Sequence, residues 1–298
     1  MDNQFGTLIT AMATPFAESG ELDIRAAQQL AGHLFENGHD ALILFGSTGE
    51  AATMSPDEKL ELLRAVREAV GPYRPLICGT GTNNTKQSAE FSIACREAGA
   101  DGIMLVVPYY NKPTQDGIVA HFDYISGQAQ LPTIIYNIPG RTGTLASPDT
   151  ILRCAQNPNI VALKDATQNC DNVTEIAAKA PPGFVVYSGD DSLTLPYLAC
   201  GAYGVISVAG HICGPEIKEM IDSFQSGNTQ RALLLHRIVF PVVKALFCVT
   251  NPIPLKEALK QRGLCSNAVR LPLLPADSKV AQQVAEALCA FDARKVTA

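Results

Sequence analysis

The sequence predicts an α/β protein, a (β/α)8 or TIM barrel followed by a helical C-terminal appendage. Three observations carry that expectation. Short apolar strands alternate with helical stretches without a break to about residue 225, there are eight such units, and they recur roughly every 20 to 35 residues. An open doubly wound sheet would share the alternation, but no strand runs into a GxGxxG turn, and the count of eight favours closure. A chain of 298 residues is long enough for one barrel and a small addition. The expected division is a barrel over residues 1–225 and a helical part over 226–298.

Residues 8–12 form the first expected strand, and Asp23 opens a helix closed by Gly38. The second strand, residues 41–45, runs into Gly46-Ser47-Thr48-Gly49-Glu50. The next helix carries its start and stop in full: Ser55 as N-cap, Pro56 at the first helical position, Glu58 completing a capping box, and Gly71 at the far end. Residues 76–78 are the third strand, with a helix from Asn83 or Asn84 to Gly99. The fourth strand, 103–107, exits through Pro108-Tyr109-Tyr110-Asn111, and the fifth, 133–136, through Asn137-Ile138-Pro139-Gly140-Arg141-Thr142-Gly143. Ser147-Pro148 starts a helix that leads to the sixth strand, 160–165. The seventh, 184–187, ends in Ser188-Gly189-Asp190-Asp191, and the eighth is 204–208. From about Asn228 only helices remain: 229–247 with a kink expected at Pro241, one begun by Asn251-Pro252-Ile253-Pro254, and one after Asp277.

Composition narrows the function. A net charge of −6 gives no support to nucleic-acid or anionic-membrane binding, and no apolar run reaches spanning length. No basic-then-apolar leader is visible at the first residues, and the nine cysteines include no CxxC or zinc spacing. Most lie in apolar or helical runs and read as reduced core residues, so a cytoplasmic enzyme is expected. The five histidines are scattered, and neither a catalytic metal nor another cofactor is expected.

The stretch Ile160-Val161-Ala162-Leu163-Lys164-Asp165 is the most informative. A buried apolar strand that ends on lysine has two readings. The amine either leaves the strand end or pairs with Asp165 or another acid, or it is desolvated, partly neutral and able to attack a carbonyl. In a barrel, active sites form at the C-terminal ends of the strands. Those ends hold Ser47 and Thr48, Tyr110, Tyr136 and Arg141, Lys164, and Gly189. An amine, hydroxyls that move protons and a guanidinium that grips a carboxylate are the parts imine chemistry needs. Singly, Tyr136 also reads as a strand-end aromatic and Arg141 as a solvated charge.

Taken together, Gly46-Ser47-Thr48-Gly49-Glu50, Pro108-Tyr109-Tyr110-Asn111-Lys112-Pro113, Tyr136 through Gly143, and Leu163-Lys164-Asp165-Ala166 resemble the dihydrodipicolinate synthase branch of the pyruvate-dependent class I aldolases, a family that includes N-acetylneuraminate lyase. Ser188 through Asp191, Gly204 through Val208, and Asn251 through Lys256 fit as well, so the resemblance spans most of the chain. It implies a lyase of lysine and diaminopimelate biosynthesis that condenses pyruvate with L-aspartate 4-semialdehyde. Lys164 would form the Schiff base, and Tyr136 would move protons in a relay with Ser47 and with Tyr110 from a neighbouring subunit. Thr48 and Ile206 would hold the pyruvate carboxylate, Gly189 would belong to the binding site, and Arg141 would receive the semialdehyde carboxylate. A homotetramer, arranged as a dimer of dimers, is usual in this family.

Two departures from the family pattern stand out. Ser47 replaces the threonine usual in biosynthetic members, and serine there is common in the branch that cleaves N-acetylneuraminate or 2-keto-3-deoxy sugar acids. Arg141-Thr142-Gly143 therefore does most of the separating. Pro56, Lys59 and Gln87 occupy the positions at which lysine-sensitive members usually carry histidines and an acid, although Asn83 and Tyr109 fit. A cation at position 59 repels the ammonium groups of free lysine, which implies weak or absent feedback inhibition.

Overall fold

A computed structural model describes residues 4–295. Eight parallel strands close on themselves in sequence order: β1 (Leu8–Ala11), β2 (Ala41–Leu44), β3 (Leu76–Gly79), β4 (Gly102–Val106), β5 (Thr133–Asn137), β6 (Ile160–Asp165), β7 (Val185–Ser188) and β8 (Gly204–Ser207), with β8 pairing back onto β1. Outside them lie α1 (Ile24–Glu36), α2 (Pro56–Val70), α3 (Thr85–Glu97), α4 (Gln115–Ala129), α5 (Pro139–Thr142), α6 (Pro148–Cys154), α7 (Cys170–Lys179), α8 (Thr194–Ala199) and α9 (Gly210–Gln225). Helices α10 (Thr229–Leu246), α11 (Ile253–Gln261) and α12 (Ser278–Lys295) follow. The expected barrel and its eight strands are present, each strand within about a residue of its expected bounds, as usual for element ends.

Because side chains alternate along a strand, the barrel sorts its residues into two layers. Ile9, Ile43, Ile77, Ile134, Ala162 and Ile206 meet inside it, with Tyr136 in the same cluster. Their neighbours Leu8, Leu42, Leu44, Leu76 and Val205 point outward and pack under the helices. With both faces covered, the strands read as continuous apolar runs, the pattern of buried parallel sheet. The capping box on α2 forms as read: Ser55 Oγ accepts from Glu58 N–H at 3.2 Å and Glu58 Oε2 from Ser55 N–H at 2.8 Å.

Two local expectations are corrected. Helix α10 runs unbroken through Pro241. Proline lacks the N–H that would bond the carbonyl four residues back, and here Arg294 Nη1 donates to that carbonyl, Arg237 O, at 3.4 Å. The break lies instead in α9, where Cys213 leaves helical torsions (φ −118°, ψ 26°) two residues ahead of Pro215. The cysteines are less uniformly internal than expected. Cys78, Cys95, Cys154 and Cys213 are buried, four others are half-buried, and Cys289 is exposed on α12.

The C-terminal helices share one apolar core with the first half of the barrel. Val239, Val243, Leu255 and Leu259 belong to the same cluster as Leu8, Leu42 and Phe45. No helix of the described residues is long and apolar enough to cross a membrane.

Candidate active site

Lys164 and Tyr136 are register partners across the β5–β6 ladder, and both point into the barrel. The Lys164 Nζ lies 4.1 Å from the centre of the Tyr136 ring, and the two residues are 4 % and 7 % exposed. Burial pulls the Lys164 amine down to about 8; Asp191 opposes that shift and Arg141 adds to it. Burial also pushes the Tyr136 phenol up to about 12; the Arg141 cation pulls it back, Asp190 adds to the rise, and the neighbouring Ser47 hydroxyl lowers it slightly. The site therefore holds a lysine with an appreciable neutral fraction at neutral pH beside a phenol that keeps its proton.

Asp165 is not the partner of Lys164. Being next along the strand, it points outward, where Oδ1 accepts from Thr167 N–H at 3.0 Å, Thr167 Oγ1 at 2.8 Å and Tyr197 Oη at 2.9 Å. The amine neither leaves the strand end nor pairs with its neighbour, so the desolvated reading of the strand is the one that survives.

Above the strand ends lies a cavity of about 790 Å3, whose wall includes Gly46, Ser47, Tyr136, Ile138 and Arg141. Arg141 stands on the single turn of α5, which replaces the loop read from the sequence, and its side chain is exposed to the cavity. The wall includes Tyr136 but not Lys164, whose amine packs on that ring. The cavity continues into a crevice between α2 and α3 lined by Pro56, Lys59, Gln87, Phe91 and Tyr109. Lys59 Nζ sits 5.4 Å from the Phe91 ring centre, and burial lowers its pKa.

The turn after β2 is strained at both ends, with Phe45 at φ 62° and Glu50 at φ 53°. Within it, Ser47 is exposed to the cavity and Thr48 is buried. Neither residue's backbone N–H has an acceptor among the described residues, so two donors remain free at the barrel mouth. Ile206 faces the interior from β8. At Gly189 the chain passes so close to β6 that a Cβ would come within 2.9 Å of Asp165 O; its N–H donates to that oxygen at 2.6 Å. Only glycine fits there.

Of the expected site residues, Ser47, Tyr136 and Arg141 line the cavity and Lys164, Thr48, Gly189 and Ile206 do not, while Tyr110 projects away from the chain altogether. Its side chain is 88 % exposed, and it sits at φ 69° in a three-residue turn closed by Asn111 N–H to Tyr109 O at 2.8 Å. That conformation is rare and strained, and here it projects an aromatic ring into solvent.

Two groups were not singled out from the sequence. Asp191, 4 % exposed, accepts from Ser207 Oγ, from Val208 N–H at 2.9 Å and from Ala209 N–H at 3.1 Å, tying the ends of β7 and β8 together next to Lys164. Asn251, in the turn just ahead of α11, and Lys256, on α11, reach Thr48 and Glu50 in the turn after β2. Both stretches were legible as motifs, but nothing in a linear sequence tells which charged residue of a motif turns inward.

The fold and site agree with comparisons to known proteins. Residues 4–291 match the profile of the Dihydrodipicolinate synthetase family. The 4-hydroxy-tetrahydrodipicolinate synthase of Moorella thermoacetica is 47% identical over 285 residues, 96% of this chain and 98% of that protein. The 4-hydroxy-tetrahydrodipicolinate synthase 1 of Halalkalibacterium halodurans is 48% identical over 279 residues, 94% of this chain and 95% of that protein. Among solved structures, the dihydrodipicolinate synthase of Bacillus anthracis superposes with a TM-score of 0.94 at 42% identity, covering 97% of this chain and 99% of that one. The Cyanidioschyzon merolae enzyme, crystallised with lysine bound, gives 0.96 at 44% identity, covering 98% and 99%. With a buried lysine–tyrosine pair at the mouth of an eight-stranded barrel and this likeness over residues 4–291, the chain belongs to the dihydrodipicolinate synthetase family.

Proposed function

We propose that the chain is a Schiff-base-forming lyase that condenses pyruvate with L-aspartate 4-semialdehyde to give 4-hydroxy-tetrahydrodipicolinate, in lysine and diaminopimelate biosynthesis. The observation that carries this reading is the Lys164 amine, held down to about 8 by burial and seated 4.1 Å from the ring centre of Tyr136. The relatives named above carry that activity in their names.

Neutral Lys164 adds to C2 of pyruvate, and the resulting carbinolamine loses its oxygen as water, with Tyr136 supplying the proton. The iminium acidifies the adjacent methyl group, and Tyr136, through Ser47, removes one proton from it to leave an enamine. The enamine carbon attacks the aldehyde of the second substrate, whose oxygen takes a proton from Tyr136. The amino group of that substrate then adds at C2 and displaces Lys164, which closes the ring and returns the free amine. One water is released per condensation. Thr48 and Ile206 bind the pyruvate carboxylate, Gly189 belongs to the binding site, and Arg141 grips the carboxylate of the semialdehyde.

Tyr110 serves the site of a neighbouring subunit, which accounts for a strained turn holding an exposed ring. The assembly is a homotetramer, a dimer of such dimers, in the cytoplasm. The division is into a barrel over residues 1–225 and a helical addition over residues 226–298, of which residues 1–3 and 296–298 lie outside those described. Lys59 lines the crevice beside the site, and its cation repels the ammonium groups of a lysine entering there, so lysine inhibits weakly or not at all. Inhibition at low-millimolar lysine would overturn that last point.

The deciding assay holds pyruvate fixed and compares L-aspartate 4-semialdehyde with a panel of sugar aldehydes. Turnover of the semialdehyde alone is expected. A preference for N-acetylmannosamine or another sugar aldehyde would move the chain to the sugar-acid aldolase branch.

A further inference from the structure

The turn that carries Ser47 and Thr48 is anchored from outside the barrel. Glu50, 5 % exposed, lies 2.5 Å from Lys256 Nζ through Oε1 and accepts from Arg270 N–H at 2.9 Å through Oε2. Lys256 also donates to Ala268 O at 2.7 Å. Thr14 Oγ1 donates to Gly49 O at 2.8 Å. Closest to the chemistry, Asn251 Nδ2 donates to Thr48 Oγ1 at 2.9 Å, with both residues at least nine-tenths buried.

A threonine hydroxyl has one proton to give and rotates freely unless something holds it. Here the Asn251 amide occupies an acceptor position on Thr48 Oγ1, and the hydroxyl proton has no acceptor among the described residues. The proton is left to point at whatever enters from the barrel mouth. We infer that Asn251 is a positioning residue, which orients the Thr48 hydroxyl as a donor toward the carboxylate of pyruvate and so couples the C-terminal helices to binding of the first substrate. This rests on the carboxylate-binding role given to Thr48 above.

The test measures pyruvate KM, semialdehyde KM and kcat for Asn251→Ala, Asn251→Asp, Thr48→Val and the two double variants. Loss of one neutral hydrogen bond predicts that Asn251→Ala raises pyruvate KM about fivefold, with kcat and semialdehyde KM within about twofold of the parent. Asn251→Asp, equal in volume, raises it further, because a carboxylate can only accept and turns the hydroxyl proton away from the substrate. In the Thr48→Val background neither change adds more than about twofold, since the hydroxyl through which they act is gone. Half-maximal pyruvate for borohydride trapping on Lys164 reads the same quantity without turnover, and Asn251→Asp carries the test if the alanine variant does not fold. Equal KM effects with and without the Thr48 hydroxyl, or none at all, would overturn the inference while leaving Thr48 in its role. If Thr48→Val itself leaves pyruvate KM unchanged, the carboxylate role fails and the inference falls with it.

Discussion

Lys164 and Tyr136 face each other across adjacent parallel strands, the amine 4.1 Å from the ring centre, each desolvated by the barrel interior. Burial acts on the two in opposite senses. It disfavours the charged form of each, so the lysine loses its proton more easily and the tyrosine holds its own more tightly. One environment thus prepares both a nucleophile and a proton donor.

Replacing Tyr136 by phenylalanine keeps the ring under the amine and removes only the hydroxyl. Turnover is expected to fall by about 10²–10⁴, the range for loss of a positioned acid–base group. Far-ultraviolet circular dichroism should be unchanged. Activity within a few-fold of the parent would take the proton transfers away from this residue.

Trapping of the pyruvate adduct by borohydride should follow the amine. With its pKa at about 8, the rate at fixed pyruvate rises as pH increases from 6.5 and levels off above 8. A rate that keeps climbing tenfold per pH unit toward 10 would mean an ordinary, solvated lysine.

The same shift makes Lys164 a burden on the fold. Between pH 8 and 10.5 the unfolded chain binds the proton and the folded chain does not, so stability from this group rises with pH across that window. Below 8 both forms are protonated and the full penalty, roughly 3 kcal/mol, is present. Lys164→Met should therefore abolish activity yet raise the urea midpoint at pH 7, with the gain shrinking as pH approaches 10.5. A variant less stable than the parent at pH 7 would contradict this.

If Tyr110 acts in the neighbouring subunit, two inactive chains can repair each other. Co-expression of Lys164→Ala with Tyr110→Phe gives mixed dimers in which one of the two sites has every native group. Random pairing predicts recovery of about a quarter of parental activity. Should the mixture be no more active than the average of the separate variants, the tyrosine acts within its own chain or not at all.

The buried pair Lys256–Glu50 has side chains 0% and 1% exposed. Removing one charge leaves the other unpaired, so Lys256→Met should lower stability by about 3–5 kcal/mol. Adding Glu50→Gln should restore part of that loss in urea unfolding. A double variant worse than Lys256→Met would show that the pair is held by something other than mutual neutralisation.

The sequence alone determined the architecture. Apolar runs of four to six residues, capped helices and eight repeats of one unit are local properties, and a barrel is how such units bury both faces of their strands. It also brought most of the site to one rim, because in a barrel every strand ends there: Tyr136 and Lys164 are the next-to-last residues of β5 and β6, and Ser47, Arg141 and Gly189 follow the ends of β2, β5 and β7. Direction was decided only in three dimensions. That Lys164 turns inward and Asp165 outward, that Asn251 and Lys256 cross some 200 residues of sequence to reach Thr48 and Glu50, and that Tyr110 leaves its own cavity all depend on closure of the barrel and packing of the last helices. A residue's charge is written in the chain, but its dielectric surroundings and its partners exist only once distant segments have met.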